Sequence, residues 1–321
     1  MGRIDTHHHI IPPEYRRWLQ RRGYDAGRPL PDWSVPGSLA VMDELGIDRA
    51  VTSVSRPGVT LGDGSDAPQV ARQVNEFCAE LAKDRPDRFG FFASLPLPDV
   101  AASLVELEYA LDALGASGAV VLTNVDGHYL DPVRYEPLFA ELHRRGSVLF
   151  IHPTHPPGPL VDGVPPMIAD FLLDTVRAAC KLAQAHVMST YHQARFLLSH
   201  GGGFLPYAVD RLASLLAYVG PDDETRHTVE AELSRCYYDI ALTGTRALPS
   251  LLSVAGPDRI VFGSDFPFAP SPLPQEFAAA FDTDTSLGDE LRRKINRDNA
   301  TALLGDRPGS RPHAAVLDQE G

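Results

Sequence analysis

The chain has 321 residues, 44% of them hydrophobic, enough for a substantial core in one large domain or two ordinary ones. No apolar run approaches the roughly 18 residues of a membrane span, so no membrane association is expected. A formal net charge of -13 opposes a nucleic-acid role, which relies on clustered Lys and Arg, and leaves small molecules as the expected partners.

The N-terminus runs directly into Ile4-Asp5-Thr6-His7-His8-His9. In an extended strand, alternate side chains share a face, so His7 and His9 point one way and His8 the other. Neutral imidazoles suit zinc and similar divalent ions, which makes the pair half of a metal site. The competing readings are a polar turn and a tag fragment, but a tag's six histidines would not sit behind Arg3-Ile4-Asp5-Thr6. Met1 leads straight into this strand without room for a signal peptide, and a cytoplasmic location is expected. Residues 10–36, with Pro12-Pro13, Trp18, Tyr24 and Trp33, read as a long loop. Because the loop leaves the strand end that carries His7 and His9, it is expected to form a lid over the metal.

A short helix over 37–46 places Leu39, Met42 and Leu45 on one face; a strand over 48–55 follows and breaks at Arg56-Pro57-Gly58. From there helix and strand alternate. The pairs are 67–83 with 89–95, 100–114 with 118–123, and 133–145 with 148–152, the last helix capped by Gly146. A Pro-rich loop over 155–166 leads to a helix over 167–189, a strand over 195–200 and Gly201-Gly202-Gly203, and the next helix carries Tyr207, Val209, Leu212, Leu215 and Leu216. Residues 236–242 alternate as a strand, 245–254 form a short helix, and 259–265 form the last strand. Closing helices are expected near 275–280 and 287–304, with a polar tail or partner-binding arm over 306–321. Cys78, Cys180 and Cys236 show no C-x-x-C spacing and read as free thiols. Eight β/α units in series define an α/β fold, a (β/α)8 TIM barrel in a single domain over residues 1–305.

In such a barrel the active site lies at the C-terminal strand ends. His7 and His9 end the first strand, His152 the fifth, His200 the sixth and Asp265 the eighth, each at the close of a segment read as a strand. One such histidine is usually a surface or satisfied core residue; four coincidences are not explained that way. The His-x-His pair, a later His and an Asp closing the last strand make a ligand set for one divalent metal, with a position left for water or substrate.

Four motifs, Asp5-Thr-His7-His-His9-Ile-Ile-Pro-Pro-Glu-Tyr15, Phe150-Ile-His152-Pro153, Leu198-Ser-His200-Gly-Gly202 and Phe262-Gly-Ser-Asp265-Phe-Pro-Phe268, span almost the whole chain. They resemble the amidohydrolase superfamily, with its metal-dependent hydrolase type of barrel, and within it the decarboxylases typified by aminocarboxymuconate semialdehyde decarboxylase. Trp33-Ser34, Met42-Asp-Glu-Leu-Gly-Ile47, Arg88-Phe-Gly-Phe-Phe-Ala-Ser-Leu-Pro-Leu-Pro98 and Leu122-Thr-Asn124 are similar to the 6-methylsalicylate decarboxylase branch. The resemblance implies that His7, His9, His152 and Asp265 hold one metal, that His200 is the acid/base group beside it, and that Asp265 can also shuttle the proton. It implies Arg56 as the partner of a substrate carboxylate, where that branch would place a small residue; a solvated loop arginine is the alternative. Relatives with Glu in place of the first histidine use manganese, so His7 favours zinc, with manganese as the alternative. Lys83, Lys181 and Lys294 fall in predicted helices, away from the strand ends where a second metal would need a carbamylated lysine. The implied activity is non-oxidative decarboxylation of a small hydroxylated aromatic or related unsaturated carboxylic acid; the alternative is hydrolysis of an ester, lactone or amide. Relatives imply a homodimer or tetramer.

Overall fold

In the computed structural model, which describes residues 2–25, 29–219 and 224–305 (backbone only at 224–228), eight strands form one sheet in sequence order. They are β1 (Arg3–His9), β2 (Ile47–Ser53), β3 (Phe89–Ser94), β4 (Gly118–Leu122), β5 (Val148–His152), β6 (Arg195–Leu198), β7 (Tyr237–Asp239) and β8 (Ile260–Val261). Every neighbouring pair is parallel. The ring closes where β1 meets the chain after β8: the Thr6 N–H donates to Phe262 O at 3.0 Å, the Asp265 N–H to His7 O at 2.8 Å and the His9 N–H to Phe266 O at 2.6 Å. This is the expected (β/α)8 barrel.

Ile4, Val51, Phe92, Val120, Phe150, Leu197 and Val261 pack together as one cluster of strand residues. A larger core lies between strands and helices and includes Leu107, Phe139, Leu149, Leu182 and Phe196. Each fully buried side chain of this kind contributes about 1.5–3 kcal/mol relative to exposure. The helix Ala67–Asp84 shows how the register is chosen: Val70, Ala71, Val74, Cys78 and Leu81 recur at three- and four-residue spacing and are its buried face. Gly146 closes the helix Glu136–Arg145 with φ 56°, the left-handed cap expected of it.

The structure departs from the sequence expectation at four places. Residues 10–36 are not an open loop, because Pro13–Arg21 is a helix. Pro12-Pro13 suggests a break, yet a proline at the first helical position needs no N–H partner and has a φ suited to the helix. Tyr15, Trp18 and Leu19 are the helix's buried face, and Tyr15 Oη donates to Gly58 O at 2.6 Å and Trp18 Nε1 to Asp66 Oδ2 at 2.8 Å. The expected helix over 167–189 is divided into a turn at Pro166–Ile168, the helix Asp170–Gln184 and a short one at Val187–Thr190, with His186 at φ 55° between the last two. Glu224–Ser234 is a helix that the apolar pattern did not announce, and two-residue strands at Asn124–Val125 and His128–Tyr129 make a small hairpin after β4. The expected tail over 306–321 lies outside the described residues. Among the described residues no helix is long and apolar enough to cross a membrane, and all three cysteines are free, Cys180 only partly buried.

Candidate metal centre

Alternation along β1 does what the pattern dictates. His7 and His9 meet, Nε2 to Nε2, at 2.9 Å, while His8 turns away to Asp5 Oδ2 at 3.0 Å and Ser38 Oγ at 3.1 Å. His152, ending β5, brings its Nε2 to 3.2 Å from that of His9. Asp265 stands after β8 with Oδ1 at 3.3 Å from both His7 Nε2 and His9 Nε2, and Oδ2 at 3.5 Å from His200 Nε2. His7, His152, His200 and Asp265 thus offer ligand atoms within 4.8 Å of one another, with His9 against three of them. His200 and Asp265 hold backbone φ of 53° and 57°, left-handed values that cost energy for residues with a Cβ and gather at functional sites.

The remaining ring nitrogens of His7, His152 and His9 have hydrogen-bond partners, whereas His200 Nδ1 is buried with none among the described residues. His7 Nδ1 donates to Asp239 Oδ2 at 2.9 Å and His152 Nδ1 to Pro153 O at 2.8 Å, while His9 Nδ1 lies 3.0 Å from Ser53 Oγ. Burial depresses His9 to about 4, with nearby His7 and His200 adding to the effect against Asp265. Burial, reinforced by the neighbouring imidazoles, also takes His152 well below its ordinary value. Burial would depress His7 too, but the Asp239 and Asp265 carboxylates outweigh it and raise it to about 10. Asp265 is held well below the carboxylate range: burial alone would raise it, and hydrogen bonds from His200, His7 and His9 reverse that. Nitrogen lone pairs converging at these distances beside an ionised carboxylate call for a shared cation, so the donor set fits a divalent metal with nitrogen and oxygen ligands.

Sequence reasoning missed the second layer. Asp239 falls inside the strand read over 236–242 with no role assigned to it; the signal it offers is its position, a carboxylate directly ending β7 as His152 ends β5. Asp5 is buried and ties β1 to β8, its Oδ1 accepting from the His7 N–H (3.0 Å) and the Ser264 N–H (3.1 Å) and its Oδ2 from Ser264 Oγ (2.6 Å). Gly263 is what lets these groups meet: a Cβ there would fall 2.8 Å from His7 Cβ and 3.2 Å from Asp239 Cβ.

A cavity of about 710 Å³ opens over the cluster, lined by His152, His200, Asp265 and Arg56 and by apolar side chains that include Leu30, Phe171, Leu172 and Phe268. Arg56 is buried, at 9% exposure, rather than solvated; its Nε and Nη2 donate to Tyr24 Oη at 3.2 and 2.9 Å, and its guanidinium lies 5.3 Å from the Phe171 ring centroid.

A closed parallel barrel with imidazoles and a carboxylate converging at its C-terminal face is a metal-binding barrel with His and Asp ligands. The chain belongs to the amidohydrolase family, whose model matches residues 4–305. It is 34% identical over 314 residues to a 6-methylsalicylic acid decarboxylase of Penicillium expansum, covering 95% of this chain and 96% of that one. A 2,6-dihydroxybenzoate decarboxylase solved with 2,6-dihydroxybenzoate superposes with TM-score 0.76 at 26% identity, over 95% of this chain and 99% of that one. A dihydroxybenzoic acid decarboxylase from Polaromonas sp., solved with manganese and 2-nitroresorcinol, gives 0.75 at 25% identity, over 94% of this chain and 96% of that one.

Proposed function

We propose that this chain is a metal-dependent, non-oxidative decarboxylase of a small hydroxylated aromatic acid of the 6-methylsalicylate kind. The observation that carries the reading is the near full-length match to a 6-methylsalicylic acid decarboxylase, together with an aromatic-lined cavity over the His and Asp cluster. His7, His9, His152 and Asp265 would hold one divalent ion, which when bound supplies Lewis-acid stabilisation of the substrate's carboxylate and adjacent hydroxyl oxygens. His at position 7 supports zinc; the manganese in the Polaromonas relative supports the alternative.

Arg56 pairs with the substrate carboxylate and, with Phe171 against its guanidinium, holds the ring in register. His200 donates a proton to the ring carbon that bears the carboxylate. Protonation interrupts the ring's conjugation; the electrons of the carbon–carboxylate bond then return to the ring as carbon dioxide leaves. Asp265, 3.5 Å from His200 Nε2, orients the imidazole and relays the proton that restores it after transfer. No redox change is involved. We read residues 1–305 as one catalytic domain and 10–36 as its lid, a reading supported by Tyr24, Pro29, Leu30 and Pro31 in the cavity wall. Three free thiols suit the cytoplasm, and an exposed apolar rim that includes Tyr207 suits a homo-oligomer.

The test is to incubate the metal-replete protein with salicylates and other aromatic acids in ¹⁸O-labelled water while following carbon dioxide and product mass. Decarboxylation yields carbon dioxide and a decarboxylated ring that carries no label from solvent. Label in the organic product of an ester, lactone or amide, without carbon dioxide release from any acid, would replace the reading with hydrolysis.

A further inference from the structure

We infer that Asp239 is a positioning residue of the metal centre: it sets the tautomer of His7 and anchors the backbone of His200 with the same carboxylate. The inference rests on the metal-site reading above and is independent of which acid is the substrate. Asp239 is fully buried at the end of β7. Its Oδ2 accepts from His7 Nδ1 at 2.9 Å, and its Oδ1 accepts from two backbone N–H groups, His200 at 3.1 Å and Ala241 at 2.9 Å. A carboxylate with three such donors has only acceptor capacity to offer, so the proton of a neutral His7 must sit on Nδ1. The lone pair on Nε2 is thereby directed at His9 and Asp265, where a metal would lie.

The other two imidazoles are held differently. His152 faces a backbone carbonyl, and His9 faces the Ser53 hydroxyl, which can give or take a proton. Of the three, His7 alone leans on a carboxylate, and that carboxylate also holds the N–H of His200, whose backbone has a left-handed φ of 53°. One side chain thus fixes both a ligand's orientation and the position of the group assigned to proton transfer.

The geometry makes Asp239→Asn a sharp test. The two backbone N–H groups would keep the amide oxygen, leaving the amide NH₂ against His7 Nδ1. Nδ1 would then have to accept, the proton would move to Nε2, and it would point into the ligand position. Zinc affinity, measured by competition with a fluorescent chelator, should fall roughly 10- to 100-fold, with far-UV circular dichroism unchanged. In a His7→Ala background there is no imidazole whose tautomer Asp239 could set, so Asp239→Asn should lower zinc affinity by a clearly smaller factor than it does in the wild-type background. An equal loss in both backgrounds, or wild-type affinity in Asp239→Asn, would overturn the inference. A second readout needs no variant. In the zinc-loaded wild-type protein, imidazole ¹⁵N correlations should show His7 protonated at Nδ1; coordination through Nδ1, or a proton on Nε2, would overturn it as well. None of these measurements depends on turnover, so they stand whatever the acid panel returns.

Discussion

Three imidazoles and a carboxylate that face one another at 2.9–3.3 Å have different neighbours from the fourth imidazole, and the difference predicts behaviour. His152 Nε2 lies among these close contacts, whereas His200 stands further out, its Nε2 3.5 Å from Asp265 and its ring centroid 4.8 Å from that of His7. His152→Ala should therefore lose metal and turnover together. His200→Ala should keep most of its metal and lose on the order of 10²-fold or more in turnover. Metal analysis run beside activity separates the two, and a proportional loss in His200→Ala would move that residue into the coordination shell. Arg56→Ala should raise KM for the carboxylic acid roughly 10- to 100-fold, the worth of a charge-assisted hydrogen bond, with little change in the thermal midpoint; unchanged kinetics across the acids would make Arg56 a purely structural guanidinium beside Tyr24. His152 and His200 were legible because each stands at the end of a strand built on an apolar run, whereas Arg56 was legible only through the family resemblance. Asp239 was not, since its meaning depends on an imidazole 232 positions away in sequence.

At the scale of elements, the closure between β1 and the chain after β8 is what holds the site in shape. The Asp265 N–H on His7 O and the Asp5 carboxylate on Ser264 lock the two segments side by side, and Gly263 leaves room for His7 and Asp239 to touch. A methyl group at 263 would overlap His7 Cβ, an atom fixed to the backbone that cannot rotate away. Gly263→Ala should thus cost about 1–3 kcal/mol of stability, the usual range for overpacking, and weaken metal binding by displacing His7. Denaturant unfolding and zinc titration check both halves, and a variant with wild-type metal affinity would show that the contact is not part of the site's support. Periodicity revealed the strands, and helices such as Ala67–Asp84, because their buried faces are continuous. It failed at Pro13–Arg21, where the paired prolines hid a three-residue apolar face, and at Glu224–Ser234, whose mostly polar sequence gives no stripe to read.

For the molecule as a whole, the unusual surface is the helix Leu205–Val219. Tyr207 is 89% exposed, Leu215 46% and Tyr218 86%. With Arg211 between them, these positions recur at intervals of four, four and three, which places them on one helical face. Ile168, also exposed, lies with Tyr207 in the lining of the catalytic cavity, so the apolar stripe begins at the mouth of the site. Exposed aromatic and aliphatic side chains gathered on one helical face, with Arg211 among them, are a feature of surfaces that another protein covers. A second copy of the chain is the occupant that the homo-oligomer reading requires. Sedimentation at micromolar concentration should then give two or four times the 34.9 kDa chain mass. Tyr207→Lys combined with Tyr218→Lys should shift the distribution toward the single chain while circular dichroism stays unchanged, because neither side chain contributes to the core. A wild-type protein sedimenting as one chain would return the stripe to solvent, and would leave the catalytic cavity to be closed by residues of its own chain.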